Sequence, residues 1–300
     1  MSILVNTPTG NIGRVLVDRL LEAGEKVTVI HRDRAKVAGL EKRGVKVIEG
    51  SADDPEVLRR AFEETEAVFW LTPPAIRPDQ PEWAQGLARA AAAAAKAAGV
   101  KRAVVQSSLG AQNGPANGPV GVLLGVERAW QEALPDVVLL RAGFFMENYL
   151  RDVETIVRDG ALYSPIPAGK AVPVVATRDI AEKAARYLTD RSWHGHHFVG
   201  VHGPEDLAGT RVAEILGEAL GRPLRYVEVP LDQARQGMLQ AGFPDFAADA
   251  YTALYRGVVE GTMEPAEPRT TDTTTPTTLA TFAHEELRPA LEKAAVPSAR

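Results

Sequence analysis

Apolar and polar positions follow two alternating patterns along the first half of the chain. Residues 3–5 form a short apolar run, a turn with Gly10 and Gly13 follows, and apolar residues then recur at helical spacing up to Leu21. This is the pattern of a strand, a tight turn and a helix. The pattern repeats, and it predicts further strands at 26–31, 45–48, 67–72, 103–107 and 137–141, with helices at 34–42, 55–62, 82–98 and 124–133. Strict alternation of strands and helices favours a parallel, doubly wound α/β sheet with right-handed crossovers.

The second half of the chain is less regular. Its pattern predicts strands at 172–175, 196–201 and 224–229, with helices at 148–158, 180–188, 210–220, 231–240, 246–259 and 279–293. Asp179 is predicted to cap the helix at 180–188. The threonine- and proline-rich segment 270–278 is predicted to be an ordered surface connection rather than a functional loop. We therefore expect residues 1–150 to form the α/β domain and residues 151–300 a smaller α+β lobe, with segments such as 172–190 returning to the first domain.

Composition excludes several classes of function. The 300-residue chain has a formal net charge of −5 and no block of basic residues, so DNA and RNA are not expected as direct ligands. It has no cysteine, which rules out disulfides, thiolate catalysis and cysteine metal sites. A first strand at Ile3 leaves no room for a signal peptide, and no stretch is long and apolar enough to span a membrane. We expect a cytoplasmic protein that has no membrane partner.

The turn after the first strand has the chemistry of a phosphate site. Gly10 permits a backbone conformation closed to other residues, and Gly13 allows the helix to pack close to the strand while the N–H groups of its first turn face outward. Such N–H groups can hold the pyrophosphate of a dinucleotide. The full fingerprint G-x-x-G-x-x-G has a first glycine where this chain has Thr7. The branched side chain of Thr7 narrows the space in which the backbone can approach a ligand. A dinucleotide site and an ordinary strand-to-helix turn are both open at this point.

Five segments of the chain occur in a recognisable order and spacing. They are Thr9-Gly10-Asn11-Ile12-Gly13, Val29-Ile30-His31-Arg32, Phe69-Trp70-Leu71-Thr72-Pro73-Pro74, Val104-Val105-Gln106-Ser107-Ser108-Leu109-Gly110-Ala111 and Leu140-Arg141-Ala142-Gly143-Phe144-Phe145-Met146-Glu147-Asn148. In this order they resemble the NmrA-like branch of the atypical short-chain dehydrogenases/reductases. The resemblance implies a Rossmann-type domain, bound NAD(P) and a small carboxyl-terminal lobe that closes the substrate cleft. It also implies a set of cofactor-binding residues, namely Thr9, Gly10, Asn11, Ile12, Gly13, Arg32, Ser51, Leu71, Thr72, Pro73, Ser107, Gly143 and Phe144.

The charges at the end of the second strand favour NADP(H) over NAD(H). An NAD site usually has an acid there for the ribose 2′-hydroxyl, whereas this chain has His31 followed by Arg32. Arg32 can pair bidentately with a 2′-phosphate, and Arg34 and Lys36 add positive potential nearby. The alternative is that Arg32 is an ordinary solvated side chain. Ser51 stands where similar proteins often have an acid for adenine, and it can still form a hydrogen bond.

The usual catalytic pair of short-chain dehydrogenases is absent. A Tyr-x-x-x-Lys pair tunes a phenol to protonate the substrate oxygen, but residues 109–129 contain neither tyrosine nor lysine. Quinone- and dye-reducing NmrA-like proteins also lack the pair, and Gly118-Pro119-Val120-Gly121 together with Glu127 resembles that subgroup. We therefore predict hydride transfer to a quinone or another flat, conjugated electrophile, at a rate nearly independent of pH from about 6 to 9. No catalytic residue is assigned.

Three residues beyond the sixth strand are candidates for the substrate site. Phe145 and Tyr149 suit an aromatic wall for a flat substrate, and Asn148 suits an orienting donor. The alternatives are core packing for the two rings and helix capping for Asn148.

A metal site is not predicted, although three histidines lie close together in sequence at 194, 196 and 197. Alternate residues of a strand point to opposite faces, and no carboxylate has a ligand spacing there. Two further functions stay open. One is a non-catalytic NADP(H) redox sensor that binds a protein partner, and the other is a biosynthetic tailoring enzyme that has lost the cofactor. We also include a homodimer among the expected assemblies.

Overall fold

A computed structural model gives the structure of residues 1–295. Its strands in chain order are β1 Ser2–Val5, β2 Val27–His31, β3 Lys46–Glu49, β4 Thr65–Trp70, β5 Arg102–Ser108, β6 Asp136–Ala142, β7 Phe144–Phe145, β8 Ala161–Ser164, β9 Ala171–Val175, β10 His196–Val201, β11 Asp206–Ala208 and β12 Arg225–Glu228. Its helices are α1 Asn11–Glu22, α2 Ala38–Glu41, α3 Pro55–Phe62, α4 Gln80–Ala97, α5 Leu123–Ala133, α6 Val153–Asp159, α7 Thr177–Thr189, α8 Gly209–Leu220, α9 Leu231–Gln240, α10 Asp245–Glu260, α11 Leu279–Phe282 and α12 Arg288–Ala295. Within residues 1–295, no helix is both long and apolar enough to cross a membrane.

The described chain divides into two compact units, each built from several segments. The first unit comprises Met1–Pro115, Pro119–Arg141 and Ile180–Val199. The second comprises Ala116–Gly118, Ala142–Asp179 and the described chain from Gly200 onward. The assignment of residues 1–150 to the cofactor and 151–300 to the substrate stays a prediction.

A seven-stranded sheet forms the centre of the first unit. Its order is β10-β6-β5-β4-β1-β2-β3, so the chain builds outward from β1 in one direction through β2 and β3 and in the other through β4, β5 and β6. The neighbours β1 and β2, β1 and β4, β2 and β3, and β4 and β5 pair in parallel. The strand order therefore reverses between β1 and β4, which is where sheets of this kind bind ligands beyond their carboxyl ends. The predicted doubly wound α/β fold is confirmed.

Burial on both faces explains why inner strands of this sheet such as β1 and β4 are mainly apolar. All four residues of β1 are buried, and the core between the sheet and α3, α4 and α5 contains Trp70 and Trp130. Their ring centroids are 5.5 Å apart. The alanines of α4 allow it to pack closely, because six buried positions of this helix carry only alanine or leucine.

The second unit has its own apolar core beneath two small sheets. One sheet has the order β11-β9-β7, and the other pairs β12 with β8 in parallel. The core joins these strands to α6, α8 and α11, with Leu216 and Phe282 among its buried side chains. The segment Ala283–Leu287 has a π-helical turn, which joins α11 to α12. The predicted smaller α+β part is therefore present as a separate packed core.

The sequence pattern placed the start of α7 too late, and the role predicted for Asp179 is wrong. Helix α7 begins at Thr177, so Asp179 lies inside its first turn. The N–H of Thr177 donates to the Glu147 carboxylate at 2.9 and 3.1 Å, and the Thr177 hydroxyl donates to the same group at 2.5 Å. The Asp179 carboxylate instead accepts from the N–H and the hydroxyl of Thr277, at 2.9 and 2.6 Å.

The contact between Asp179 and Thr277 also shows how the threonine-rich segment 270–278 packs. Thr273, Thr275 and Thr277 are buried, so alternate threonines of this segment point inward, whereas a surface connection was predicted.

Candidate functional site

The glycine turn between β1 and α1 offers unused backbone donors. Gly10 is the N-cap of α1, no side chain caps the helix, and its first turn has no acidic residue. The first N–H groups of a helix have no acceptor within it, and the helix dipole makes this end positive. The donor set therefore fits the phosphates of a dinucleotide.

The two glycines of the turn are needed for different reasons. A Cβ built on Gly13 would lie 1.8 Å from the carbonyl oxygen of Thr7, so only glycine allows α1 to pack against this turn. Gly10 has φ −74° and ψ 167°, a conformation open to any residue, so the reason given for Gly10 from sequence is wrong. Its exposed position leaves open space, since a Cβ there would contact only the Thr7 carbonyl oxygen at 3.6 Å.

Thr7 stands at the position where the fingerprint has its first glycine. Its side chain is half-buried, and its hydroxyl oxygen is fully buried without a hydrogen-bond partner within residues 1–295. The hydroxyl therefore points away from solvent. The Thr7 side chain occupies space inside the protein rather than the space that a ligand would use.

Asn6 fastens the glycine turn to the segment after β4. Its side-chain amide donates to the carbonyl oxygen of Leu71 at 2.8 Å and accepts from the N–H of Leu71 at 2.9 Å. The next residue, Thr72, accepts from the indole N–H of buried Trp70 at 3.1 Å. The predicted residues Leu71, Thr72 and Pro73 are half-buried and follow directly. Sequence reasoning missed Asn6, although a polar residue at the end of a buried strand was the available signal.

The end of β2 combines a fixed histidine with an unpaired arginine. His31 lies with its Nε2 3.3 Å from the hydroxyl of Thr9 and its Nδ1 2.7 Å from the carbonyl oxygen of Asp33. Arg32 is exposed and has no hydrogen-bond or ion-pair partner in the part of the chain that the structure describes.

The other two cations predicted to act with Arg32 are compensated. Arg34 pairs with Glu41 at 2.5 Å and Lys36 with Asp33 at 3.9 Å. The free positive charge at this strand end therefore belongs to Arg32. Ser51 is half-buried beyond β3, and its hydroxyl accepts weakly from the N–H of Asp53 at 3.5 Å.

Ser107 lies at the end of β5 in a buried polar network. Its hydroxyl donates to Glu127 Oε1 at 2.6 Å. Arg141 donates to the same carboxylate from Nε at 3.0 Å and from a terminal nitrogen at 2.7 Å. The face of the Phe198 ring covers the guanidinium at 4.5 Å. The network gives the buried charges of Glu127 and Arg141 mutual compensation, which a buried pair requires.

The remaining predicted residues belong to the second unit. Gly143 is required by packing, since a Cβ there would lie 2.6 Å from the carbonyl oxygen of Pro173. Phe144 and Tyr149 contact each other with ring centroids 5.5 Å apart, and both pack against the core of this unit. Phe145 and Asn148 are half-buried in the same segment, and the structure gives Asn148 no capping bond. A role in binding cofactor or substrate stays a prediction for these residues.

Burial alters two acids near this segment. It raises the pKa of the Tyr149 phenol well above its usual range. It also raises the pKa of Asp152 to about 6, against a smaller opposing effect of Arg151. Asp152 therefore titrates closer to neutrality than an ordinary aspartate, and it was not singled out from sequence because nothing local signals its burial.

Comparison with known proteins identifies the family of this chain. A sequence model described as the NmrA-like family matches residues 1–282. An NAD(P)H azoreductase from Xenophilus azovorans is 37% identical over 254 residues, which cover 84% of this chain and 86% of that protein. A (4-alkanoyl-5-oxo-2,5-dihydrofuran-3-yl)methyl phosphate reductase from Streptomyces griseus is 32% identical over 83% of this chain and 84% of that protein. An NADPH-dependent quinone oxidoreductase from Escherichia coli, solved with NADPH, superposes with a TM-score of 0.80 at 23% identity, covering 94% of this chain and 98% of that chain.

Proposed function

Because this chain belongs to the NmrA-like family, we propose that it is an NADPH-dependent reductase of quinones or other conjugated, electrophilic small molecules. The observation that carries the proposal is the glycine turn at the uncapped, acid-free start of α1, with unpaired Arg32 at the neighbouring strand end. The names of the azoreductase, the phosphate reductase and the quinone oxidoreductase support the reaction class.

Different residues of the first unit are proposed to bind different parts of the dinucleotide. The backbone N–H groups of residues 11–13 and the open position at Gly10 receive the pyrophosphate. Arg32 supplies the charge for a 2′-phosphate, which NADPH has and NADH lacks, whereas the neighbouring Arg34 and Lys36 are already paired. Asn6 holds Leu71 in place and thereby keeps the two turns in a fixed arrangement.

The class of substrate is inferred from the lack of a side chain that could protonate the substrate oxygen. When bound, NADPH supplies a hydride, and an isolated ketone would then need a proton on its oxygen. The chain lacks the Tyr-x-x-x-Lys pair, and the Ser107 proton is already donated to Glu127. A quinone or an azo compound delocalises the negative charge and can take its proton from water afterwards. In the second unit, the Phe144–Tyr149 ring pair with Phe145 and Asn148 supplies the surfaces proposed for a flat substrate.

Two measurements on the purified protein test the proposal. Calorimetric titration with NADPH reports binding, and NADPH absorbance during incubation with a panel of quinones and azo dyes reports turnover. Binding together with acceptor-dependent oxidation supports a reductase. Binding without turnover of any acceptor would favour the redox-sensor alternative, and failure to bind NADPH and NADH would favour an enzyme that has lost the cofactor.

A further inference from the structure

The hydrogen bonds around Ser107 fix which way its hydroxyl points. Ser107 and Glu127 are 3% and 1% exposed, and both oxygens of the Glu127 carboxylate accept from Arg141. A guanidinium has only donors, and a carboxylate paired with it has only acceptors. The proton in the 2.6 Å contact between Ser107 and Glu127 is therefore the serine proton.

With its proton donated to Glu127, the Ser107 hydroxyl can only accept further hydrogen bonds. A serine hydroxyl has one proton and two lone pairs, so a serine that donates to a buried carboxylate can only accept from anything else. The polarity is stable because Arg141 holds Glu127 by two bonds and Phe198 covers Arg141. Ser107 cannot then protonate or polarise a substrate oxygen, but it can receive an N–H.

The sheet order indicates which ligand group comes near. Arg32 follows β2 on one side of β1, whereas Ser107 is the last residue but one of β5, the second strand on the other side. A dinucleotide that lies across the strand ends with its 2′-phosphate at Arg32 extends its nicotinamide half toward β4 and β5. Resting on the proposed function, we infer that Ser107 is a cofactor-binding residue that accepts a hydrogen bond from the carboxamide amino group of the nicotinamide, and that Glu127 is the residue that positions it.

The test uses binding alone, with NADPH and its reduced 3-acetylpyridine analogue, in which a methyl group replaces the carboxamide amino group. Calorimetry on the wild-type protein should show the analogue bound about fivefold more weakly, the value of one neutral hydrogen bond. Ser107→Ala should bind NADPH about fivefold more weakly and should no longer distinguish the two ligands. This variant should fold, because Arg141 still donates to the oxygen that Ser107 leaves. Ser108→Ala, the same change one residue later in β5, is the matched control and should behave as the wild type.

The positioning role of Glu127 needs a readout that a structural role would not give. Glu127→Gln should weaken NADPH binding in the wild-type background and have no further effect on affinity in the Ser107→Ala background, with thermal unfolding recorded for each variant. Equal losses in both backgrounds would overturn the positioning role, because they would show that Glu127 acts by another route.

The outcomes separate this inference from the proposed function. A preference for NADPH over the analogue that persists in Ser107→Ala, or wild-type affinity in that variant, would overturn the inference while the reductase proposal stands. A Ser107→Ala variant that loses affinity for both ligands equally would assign Ser107 to a different donor, such as a ribose hydroxyl, and would also overturn it. Absence of NADPH binding by the wild-type protein would overturn both.

Discussion

Arg32 is the residue on which the proposed preference for NADPH over NADH rests. Its charge is exposed and unpaired within residues 1–295, so little has to be broken before it can bind a phosphate. We expect Arg32→Ala to weaken NADPH binding by about 1.5–3 kcal/mol, the scale of a charge-assisted hydrogen-bonded pair, and to leave NADH binding almost unchanged. Calorimetric titration of both cofactors gives the comparison.

Arg34 is the matched control for this change. It lies two residues away and carries the same charge, but it is paired with Glu41 at 2.5 Å. We expect Arg34→Ala to alter NADPH affinity by less than about 0.5 kcal/mol, because the removed charge was already compensated and exposed. Losses of equal size for NADPH and NADH in Arg32→Ala would contradict a 2′-phosphate contact.

Asp152 links stability to pH. Burial raises its pKa from 3.8 to about 6, so the folded protein keeps this proton over a range where the unfolded chain releases it. The contribution of Asp152 to stability is therefore fully present below about pH 4 and is lost as the pH rises through about 6. We expect Asp152→Asn to raise the free energy of unfolding at pH 8 by about 1–2 kcal/mol, less than the full shift implies because the carboxyl is only half-buried.

Urea unfolding at two pH values checks this expectation. The advantage of Asp152→Asn over the wild type should shrink from pH 8 toward pH 4.5. Asp159 serves for comparison, because its exposed contact with Arg158 lowers its pKa. Its contribution to stability should therefore change with pH in the opposite direction. An advantage of the same size at both pH values would mean that the amide improves packing rather than removing a buried charge.

At the residue scale, the sequence can single out a candidate only where the signal is local. Arg32 could be chosen because strand, turn and charge are adjacent in the chain. The partner of Asn6 could not be identified, because Leu71 lies 65 residues away and an amide does not reveal its acceptor. The ion pairs of Arg34 and Lys36 could not be predicted from sequence either, because they depend on how a short 3₁₀ turn folds back.

The packing of α1 gives a prediction at the scale of an element. A Cβ on Gly13 would overlap the carbonyl group of Thr7, which is backbone and cannot move aside without shifting the turn. We expect Gly13→Ala to destabilise the protein by about 2–4 kcal/mol and to abolish dinucleotide binding by displacing the start of α1. Thermal unfolding and NADPH titration measure the two effects.

Gly39 provides the control for Gly13. It lies in α2, and a Cβ there would meet nothing within 4 Å. Gly39→Ala should be neutral or stabilising by up to about 1 kcal/mol, because alanine favours a helix and restricts the unfolded chain. If Gly13→Ala were tolerated as well as Gly39→Ala, the turn would have to be more plastic than its contacts indicate.

The elements that sequence predicted best are those with enough residues to show a period. The six alternating strands of the first half were found to within a few residues, whereas β7, β8 and β11 have only two to four residues and show no pattern. The start of α7 was misplaced because Asp179 before an apolar helical run is an ordinary capping signal. The acceptor that takes the N–H of Thr177 is Glu147, 30 residues earlier, and only the fold brings it there.

The reaction proposed for the whole molecule predicts how rate depends on acceptor and pH. Quinones and azo compounds should be reduced, with rates that follow their reduction potentials, and isolated ketones should be poor substrates because no tuned phenol delivers a proton. The rate should be nearly flat between about pH 6 and 9, where no essential side chain is expected to titrate. A panel of both acceptor classes assayed with NADPH over this range is the measurement. Good ketone turnover with a bell-shaped profile would point to an acid that takes part in the reaction.

The interleaving of the two units along the chain limits how the gene can be recombined. The chain passes between the units at five positions, after Pro115, Gly118, Arg141, Asp179 and Val199. A fragment that stops at residue 150 would lack β10 and would leave β6, which is buried over six of its seven residues, as an open sheet edge, a known template for aggregation. A chimaera between relatives with a single crossover would likewise leave each unit with segments from two parents. Specificities for dinucleotide and acceptor are therefore expected to evolve by point substitution within one intact chain, and not by exchange of whole halves.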